Sequence, residues 1–137
     1  MGLETSHNCW HGAYSAFSRW RNKLAEVAGY SFSKKGDPPI YDVPDLDWGH
    51  LPPRWAEGEW GSHVEKDPLV YLLAHSDCEG VIHPAQAKPL ADRLDELLPK
   101  LPDDSGGGHI WNWRQVTERF IKGLRAAVEA GEDVDFH

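Results

Sequence analysis

Apolar residues recur every three or four positions in three long stretches of the chain, and this spacing is typical of amphipathic helices. The first stretch runs from about Gly12 to Ala28, the second follows Pro84, and the last runs from about Trp111 to Ala130. The pattern therefore predicts three long helices. The positions expected to face the core are Tyr14, Phe17, Trp20, Leu24, Leu90, Leu94, Leu97, Leu98, Trp113, Val116, Phe120 and Leu124.

A shorter helix is predicted around the most apolar run of the chain, Leu69 to Ala74. Asp67 followed by Pro68 is typical of a helix start, because a carboxylate caps free N–H groups and proline fits the first helical turn. This helix is apolar on nearly all sides, which predicts a central position. In the helix after Pro84, Pro89 predicts a late start or a kink, because proline fits poorly in a helix interior.

Residues 30–66 do not follow the helical pattern. Five prolines and four glycines interrupt this segment, while tryptophans recur in it at positions 48, 55 and 60. Disordered linkers are poor in aromatic residues. We therefore predict an ordered, irregular segment that Trp48, Trp55 and Trp60 pin to the rest of the domain.

The two ends of the chain are expected to pair. Residues 2–6 can form an edge strand, and Val134 to Phe136 can form a short strand beside it. The length of 137 residues corresponds to one domain. The sequence thus predicts a single α+β domain over residues 1–137, mainly helical, with about four helices and a small strand pair joining the termini.

The charge balance excludes several classes of partner. Lys and Arg number 14 against 22 for Asp and Glu, so the net charge is -8. Binding to nucleic acid or to anionic membranes needs a positive surface. No apolar run approaches the roughly 20 residues of a transmembrane helix, and the first residues lack a signal-peptide pattern. We expect a cytoplasmic protein that binds neither nucleic acid nor membrane.

Histidine and cysteine occur together in two short segments. His7, Cys9 and His11 alternate before the first helix, and His75 and Cys78 lie in the turn after the short apolar helix. Two thiolates and two imidazoles form a tetrahedral zinc site. We predict that the two segments meet, with Cys9, His11, His75 and Cys78 as zinc ligands. Further candidates are His7, Asp77 and His83 as ligands and Asp77 or Glu79 as a supporting group or as a base for a zinc-bound water.

The same turn also resembles a calcium-binding loop. If Gly80 is aligned with the glycine at position six, then His75, Asp77 and Glu79 occupy positions one, three and five, and Gln86 occupies position twelve. An imidazole at position one and an amide at position twelve are poor calcium ligands, so calcium is the second cofactor prediction after zinc. A third interpretation is a structural connection in which Gly80 takes a left-handed turn.

Three stretches of the chain together resemble a group of small, uncharacterised proteins of actinobacteria and their phages. The stretches are Ser6–Arg21, Leu72–Ile82 and Gly131–His137. In that group the turn is closer to His-Ser-Asp-Cys-Asp-Gly, so Glu79 has one methylene more. The resemblance implies no established activity. It implies that the two His/Cys segments belong to one pattern, and a phage setting favours a counter-defence or regulatory role.

Two functions therefore remain open. The first is a small cytoplasmic metal-binding protein, zinc before calcium, that is hydrolytic if one zinc position stays open to water. The alternative is a non-catalytic acidic module that binds another protein through the Trp-rich segment. Substitution of Cys9 or His75 should remove the metal in the first case. Substitution of Trp55 or Trp60 should abolish partner binding in the second, with the fold intact.

Overall fold

A computed structural model of the chain describes residues 2–36, 41–52, 60, 63–104 and 112–137. Within these ranges, none of the helices is long and apolar enough to cross a membrane. The α-helices are α1 (Tyr14–Val27), α2 (Val70–Leu73), α3 (Pro84–Leu97) and α4 (Trp113–Ala130). The strands are β1 (Gly2–Glu4), β2 (His11–Ala13), β3 (Phe32–Lys35), β4 (Tyr41–Pro44), β5 (Val81–Ile82) and β6 (Val134–Asp135). The predicted α+β, mainly helical fold class is confirmed.

Helix α4 has local stop signals at both ends. The side chain of Asn112 accepts a hydrogen bond from the N–H of Gln115 at 3.0 Å, which caps the first turn. Gly131 ends the helix with a φ of 68°, in the left-handed region that glycine adopts without strain. Because these signals involve residues that are neighbours in sequence, they can be recognised without the structure. The predicted end of the helix at Ala130 is confirmed.

Helix α2 is shorter than predicted, and Pro89 does not delay the start of α3. Helix α2 is a single turn, and the carboxylate of Asp67 accepts the N–H of Leu69 at 3.0 Å just before it. Helix α3 begins at Pro84, as one of the two predictions had it, and Pro89 lies inside the helix; of the late start or kink predicted from Pro89, the late start does not occur. Pro89 removes one main-chain hydrogen bond. Burial of the apolar face around Leu90 and Leu94 stabilises the helix in spite of that loss.

The segment 30–66 contains a β-hairpin that the sequence did not predict. Strands β3 and β4 pair antiparallel, with Phe32 opposite Pro44. Pro38 and Pro39 lie between the two strands in sequence, Pro44 is the last residue of β4, and Pro52 and Pro53 follow the hairpin. The predicted anchor Trp60 is buried, whereas Trp55 lies outside the described residues.

The two ends of the chain meet, as predicted, but through a single bridge, because the N-terminal strand β1 pairs with β2 and β6 pairs with β5. Thr5 forms an antiparallel bridge with Phe136, and Glu4 and His137 exchange main-chain hydrogen bonds of 3.0 and 2.9 Å. On its other side the C-terminal segment pairs with β5, and the N–H of Phe136 donates to the carbonyl of Gly80 at 2.9 Å. The C-terminal segment therefore separates the N-terminal residues from the turn at 75–80.

Candidate functional site

The predicted zinc ligands of the N-terminal segment do not face the turn at 75–80. Cys9 is buried and packs against Gly123 of α4. Burial raises the pKa of the Cys9 thiol to about 12, so the thiol stays neutral. His11 is exposed on β2, and its Nδ1 lies 3.0 Å from a carboxylate oxygen of Glu4. Cys9 is thus a core residue and His11 belongs to a surface ion pair.

Both ring nitrogens of His75 lie within hydrogen-bond distance of main-chain carbonyl oxygens, and the nitrogen that carries the hydrogen in the neutral ring donates to its neighbour. His75 is buried, and its Nδ1 lies 2.7 Å from the carbonyl oxygen of Ser76 and its Nε2 3.1 Å from that of Val81. The ring packs on Phe136 with 3.9 Å between centroids. Because both nitrogens face carbonyl oxygens, neither is directed at a metal. His75 instead links the end of α2 to β5.

The other predicted residues of the turn lie at the surface. The hydroxyl of Ser76 accepts the N–H groups of Cys78 and Glu79 at 3.2 and 3.3 Å. The side chains of Cys78 and Glu79 are exposed, Asp77 is half-buried, and neither cysteine forms a disulfide. Arg21 fixes the start of the turn, because its guanidinium donates to the carbonyl of His75 at 2.6 Å. These contacts support the interpretation of the turn as a structural connection.

The remaining candidate ligands have other partners. His7 and His83 lie 3.0 Å from carboxylate oxygens of Glu132 and Asp133. Gln86, at position twelve of the calcium alignment, is buried and donates its amide N–H to the carbonyl of His63 at 3.1 Å. Among the described residues, no group of three or more His, Cys, Asp or Glu side chains is arranged to hold a metal. Zinc and calcium binding stay predictions.

Lowering the pH is expected to destabilise the protein through His75. Burial lowers the pKa of His75 below its ordinary value of 6.5, so the unfolded chain takes up a proton at a higher pH than the folded chain. Neutral His75 therefore contributes to the free energy of unfolding. This contribution is complete above the ordinary pKa and is lost as the pH falls from that value towards the folded-state pKa. Urea unfolding measured between about pH 7.5 and about pH 5 gives the free energy of unfolding of the wild type and of His75→Gln. This free energy should fall less with pH in His75→Gln than in the wild type. Parallel curves for the two proteins would contradict this assignment.

A different group of titratable side chains converges on Glu65. The side chain of Glu65 is buried, with 6% of its surface exposed. Nε2 of His50 lies 2.9 and 3.0 Å from its two oxygens, and Nε2 of His63 lies 2.7 Å from Oε2. Nδ1 of His50 is 3.3 Å from Asp47. We call Asp47, His50, His63 and Glu65 the Glu65 cluster.

Helices α2 and α3 hold the Glu65 cluster in place. The N–H of Glu65 donates to the hydroxyl of Tyr71 at 2.6 Å, and the amide of Gln86 donates to the carbonyl of His63 at 3.1 Å. The ring of Trp60 stacks on His63 at 5.8 Å and meets Tyr71 edge-on at 5.0 Å. Side chains of the two following helices and of Trp60 thereby fix the segment before α2.

The Glu65 cluster borders a cleft of about 590 Å³, a volume that suits a small molecule. Asp67 lies in the same wall and accepts the hydroxyl of Tyr30 at 2.7 Å and the Nε of Arg93 at 3.1 Å. Burial and Asp67 raise the pKa of Tyr30, so its phenol stays neutral. The charged residues of the cleft are Asp45, Asp47, Glu65, Asp67 and Glu96 against Lys66 and Arg93.

His50 is the accessible imidazole of this cleft, with 46% of its side chain exposed. The hydrogen bond to Glu65 is the largest cause of a raised pKa for His50, and the negative charges of Glu65 and Asp47 contribute in the same direction. A larger fraction of His50 is therefore charged near neutral pH than of a free histidine. Groups of this kind in a cleft are candidates for acid–base chemistry.

Comparison with known proteins gives no match, either to a protein-family model, to a curated protein or to a solved structure. The resemblance to actinobacterial and phage proteins therefore stays a prediction. The candidate site rests on the geometry of this chain alone.

The Glu65 cluster was not predicted from the sequence, although one local signal was present. His63 and Glu65 are two positions apart, which places their side chains on the same side of an extended segment. Val64 between them is 77% exposed. This alternation marks His63 and Glu65 as inward-facing polar residues. Nothing local points to His50, which is fifteen residues from Glu65 in sequence.

Proposed function

We propose that the cleft beside the Glu65 cluster is the functional site of the protein and that His50 is its general acid–base group in a hydrolytic reaction. One observation carries this proposal: an exposed imidazole in the cleft is held through Nε2 by a buried carboxylate. A carboxylate in this position orients the ring and stabilises its charged form. It also leaves the other nitrogen for proton exchange.

The nitrogen that would exchange the proton is Nδ1 of His50, because Nε2 is bound to Glu65. Nδ1 lies 3.3 Å from Asp47, and the side chains of His50 and Asp47 are 46% and 77% exposed, so water competes with this contact. Nδ1 accepts a proton from water while the water oxygen bonds to a carbonyl carbon of the substrate. The bond from that carbon to the leaving oxygen then breaks while the leaving oxygen takes up the same proton, so the products are an acid and an alcohol and no further reactant is needed.

This proposal retains the hydrolytic role from the sequence analysis but places it on other residues. The proposed compartment is still the cytoplasm, and the free, exposed thiol of Cys78 is consistent with a reducing environment. The alternative of an interaction module has less support. Trp60, one of its two proposed contacts, is only 2% exposed, and Trp55 lies outside the described residues.

Replacing His50 by glutamine is expected to lower ester hydrolysis at least tenfold, because general acid–base catalysis contributes about 10²–10⁴-fold. Glutamine keeps a side-chain N–H for Glu65 but cannot exchange a proton. The measurement is the initial rate of para-nitrophenyl acetate hydrolysis in the presence of EDTA. His11→Gln is the matched control, since His11 is an exposed histidine outside the cleft. Equal rates for the wild type and both variants would remove the hydrolytic role from His50.

A further inference from the structure

Glu65 is shared by two imidazoles. Nε2 of His50 and Nε2 of His63 both lie within 3.0 Å of the same carboxylate. A carboxylate accepts hydrogen bonds, so both Nε2 atoms carry a hydrogen when both contacts are made. Each imidazole then gains or loses its second proton at Nδ1. One negative charge consequently serves two groups that can each become positive.

Two imidazoles that share one carboxylate interact electrostatically. When one imidazole becomes charged, it repels a second positive charge and already uses the single negative charge of Glu65. The side chain of Glu65 is 6% exposed, so water and salt screen this interaction less than at the surface.

We propose that His63 is a positioning residue that sets the protonation of His50 through their shared carboxylate. The importance of His63 for catalysis rests on the proposed function of His50, whereas the coupling itself can be measured without a substrate. The other charged or titratable groups near the pair are Asp47 beside His50 and Tyr71 at the N–H of Glu65. The cleft is also lined by Tyr30, Asp45, Lys66, Asp67, Arg93 and Glu96.

His63 is held firmly enough for this role. Its ring stacks on Trp60, and its carbonyl accepts the amide N–H of the buried Gln86. Neither contact involves Nε2, which stays directed at Glu65. The side chain of His63 is partly exposed, so its other nitrogen can exchange protons with water.

NMR titration of the histidine ring protons in the full chain tests this inference. The samples contain EDTA, so that metal ions do not compete for the imidazoles. In the wild type we expect the His50 curve to be broader than a one-proton curve. In His63→Gln, which keeps an N–H donor for Glu65, the curve should narrow to one proton and its midpoint should shift upward. In Glu65→Gln the midpoint should shift downward, and in His11→Gln it should not move.

A one-proton curve for His50 in the wild type would overturn the inference, even if no variant folds. An unchanged His50 curve in a folded His63→Gln variant would overturn it as well. Failure of the proposed function is distinguishable. If the wild-type titration is coupled but His50→Gln hydrolyses the ester as fast as the wild type, the coupling stands and the catalytic role of His50 fails. If the titration is independent but His50→Gln loses hydrolysis, the catalytic role stands and the coupling fails.

Discussion

Replacing Trp20 by alanine is expected to lower the free energy of unfolding by about 3–5 kcal/mol. Trp20 is fully buried, and its ring lies 5.3 Å from that of Trp10 and 4.8 Å from that of Phe120. The substitution removes the largest buried side chain and leaves a cavity between α1, α4 and the N-terminal segment. Domains of this size have about 5–15 kcal/mol of stability, so the loss is a large part of the total.

Urea unfolding followed by circular dichroism measures this effect. Thr117→Val is the matched control, because the indole N–H of Trp20 donates to the hydroxyl of Thr117 at 2.9 Å. Loss of this acceptor alone should cost about 1–3 kcal/mol, the penalty of an unsatisfied buried donor. A loss below about 1 kcal/mol in Trp20→Ala would show that the pocket collapses around alanine or that Trp20 is not central to the core.

Replacing Gly123 by alanine is expected to destabilise the protein by about 1–3 kcal/mol, although alanine is the better helix former by about 1 kcal/mol. A Cβ atom at Gly123 would overlap Sγ of Cys9 and would lie 2.8 Å from the carbonyl oxygen of His7. The main chain there has little freedom to move. His7 and Asn8 both have left-handed φ values, 59° and 58°, and Arg119 donates to the carbonyl of Asn8 at 3.0 Å.

The double variant Cys9→Ala/Gly123→Ala separates the two overlaps. Removal of Sγ should recover part of the lost stability. The remaining loss should persist, because the alanine Cβ atom still lies too close to the carbonyl oxygen of His7. Urea unfolding of the two single variants and the double variant gives the coupling between the positions. A Gly123→Ala variant as stable as the wild type would mean that α4 and the N-terminal turn are not in close contact. This result would also weaken the interpretation of Cys9 as a core thiol.

The sequence by itself determined the long helices and the pairing of the chain ends. The first helix was predicted over 12–28 and is found over Tyr14–Val27, and the last was predicted to end before Gly131 and does so. Helix formation depends on neighbours three and four positions away and on caps at the helix ends, and all of these are visible in the sequence.

The tertiary structure alone decided the site. Cys9 and His75 have the chemistry of zinc ligands, but packing buries Cys9 against α4 and directs both nitrogens of His75 at main-chain oxygens. His50 and Glu65 lie in a segment without helical periodicity, and contacts from α2 and α3 position the Glu65 cluster. A periodic pattern records which face of a helix is buried. It does not record which distant residues meet, because that depends on how the helices and the segments between them pack.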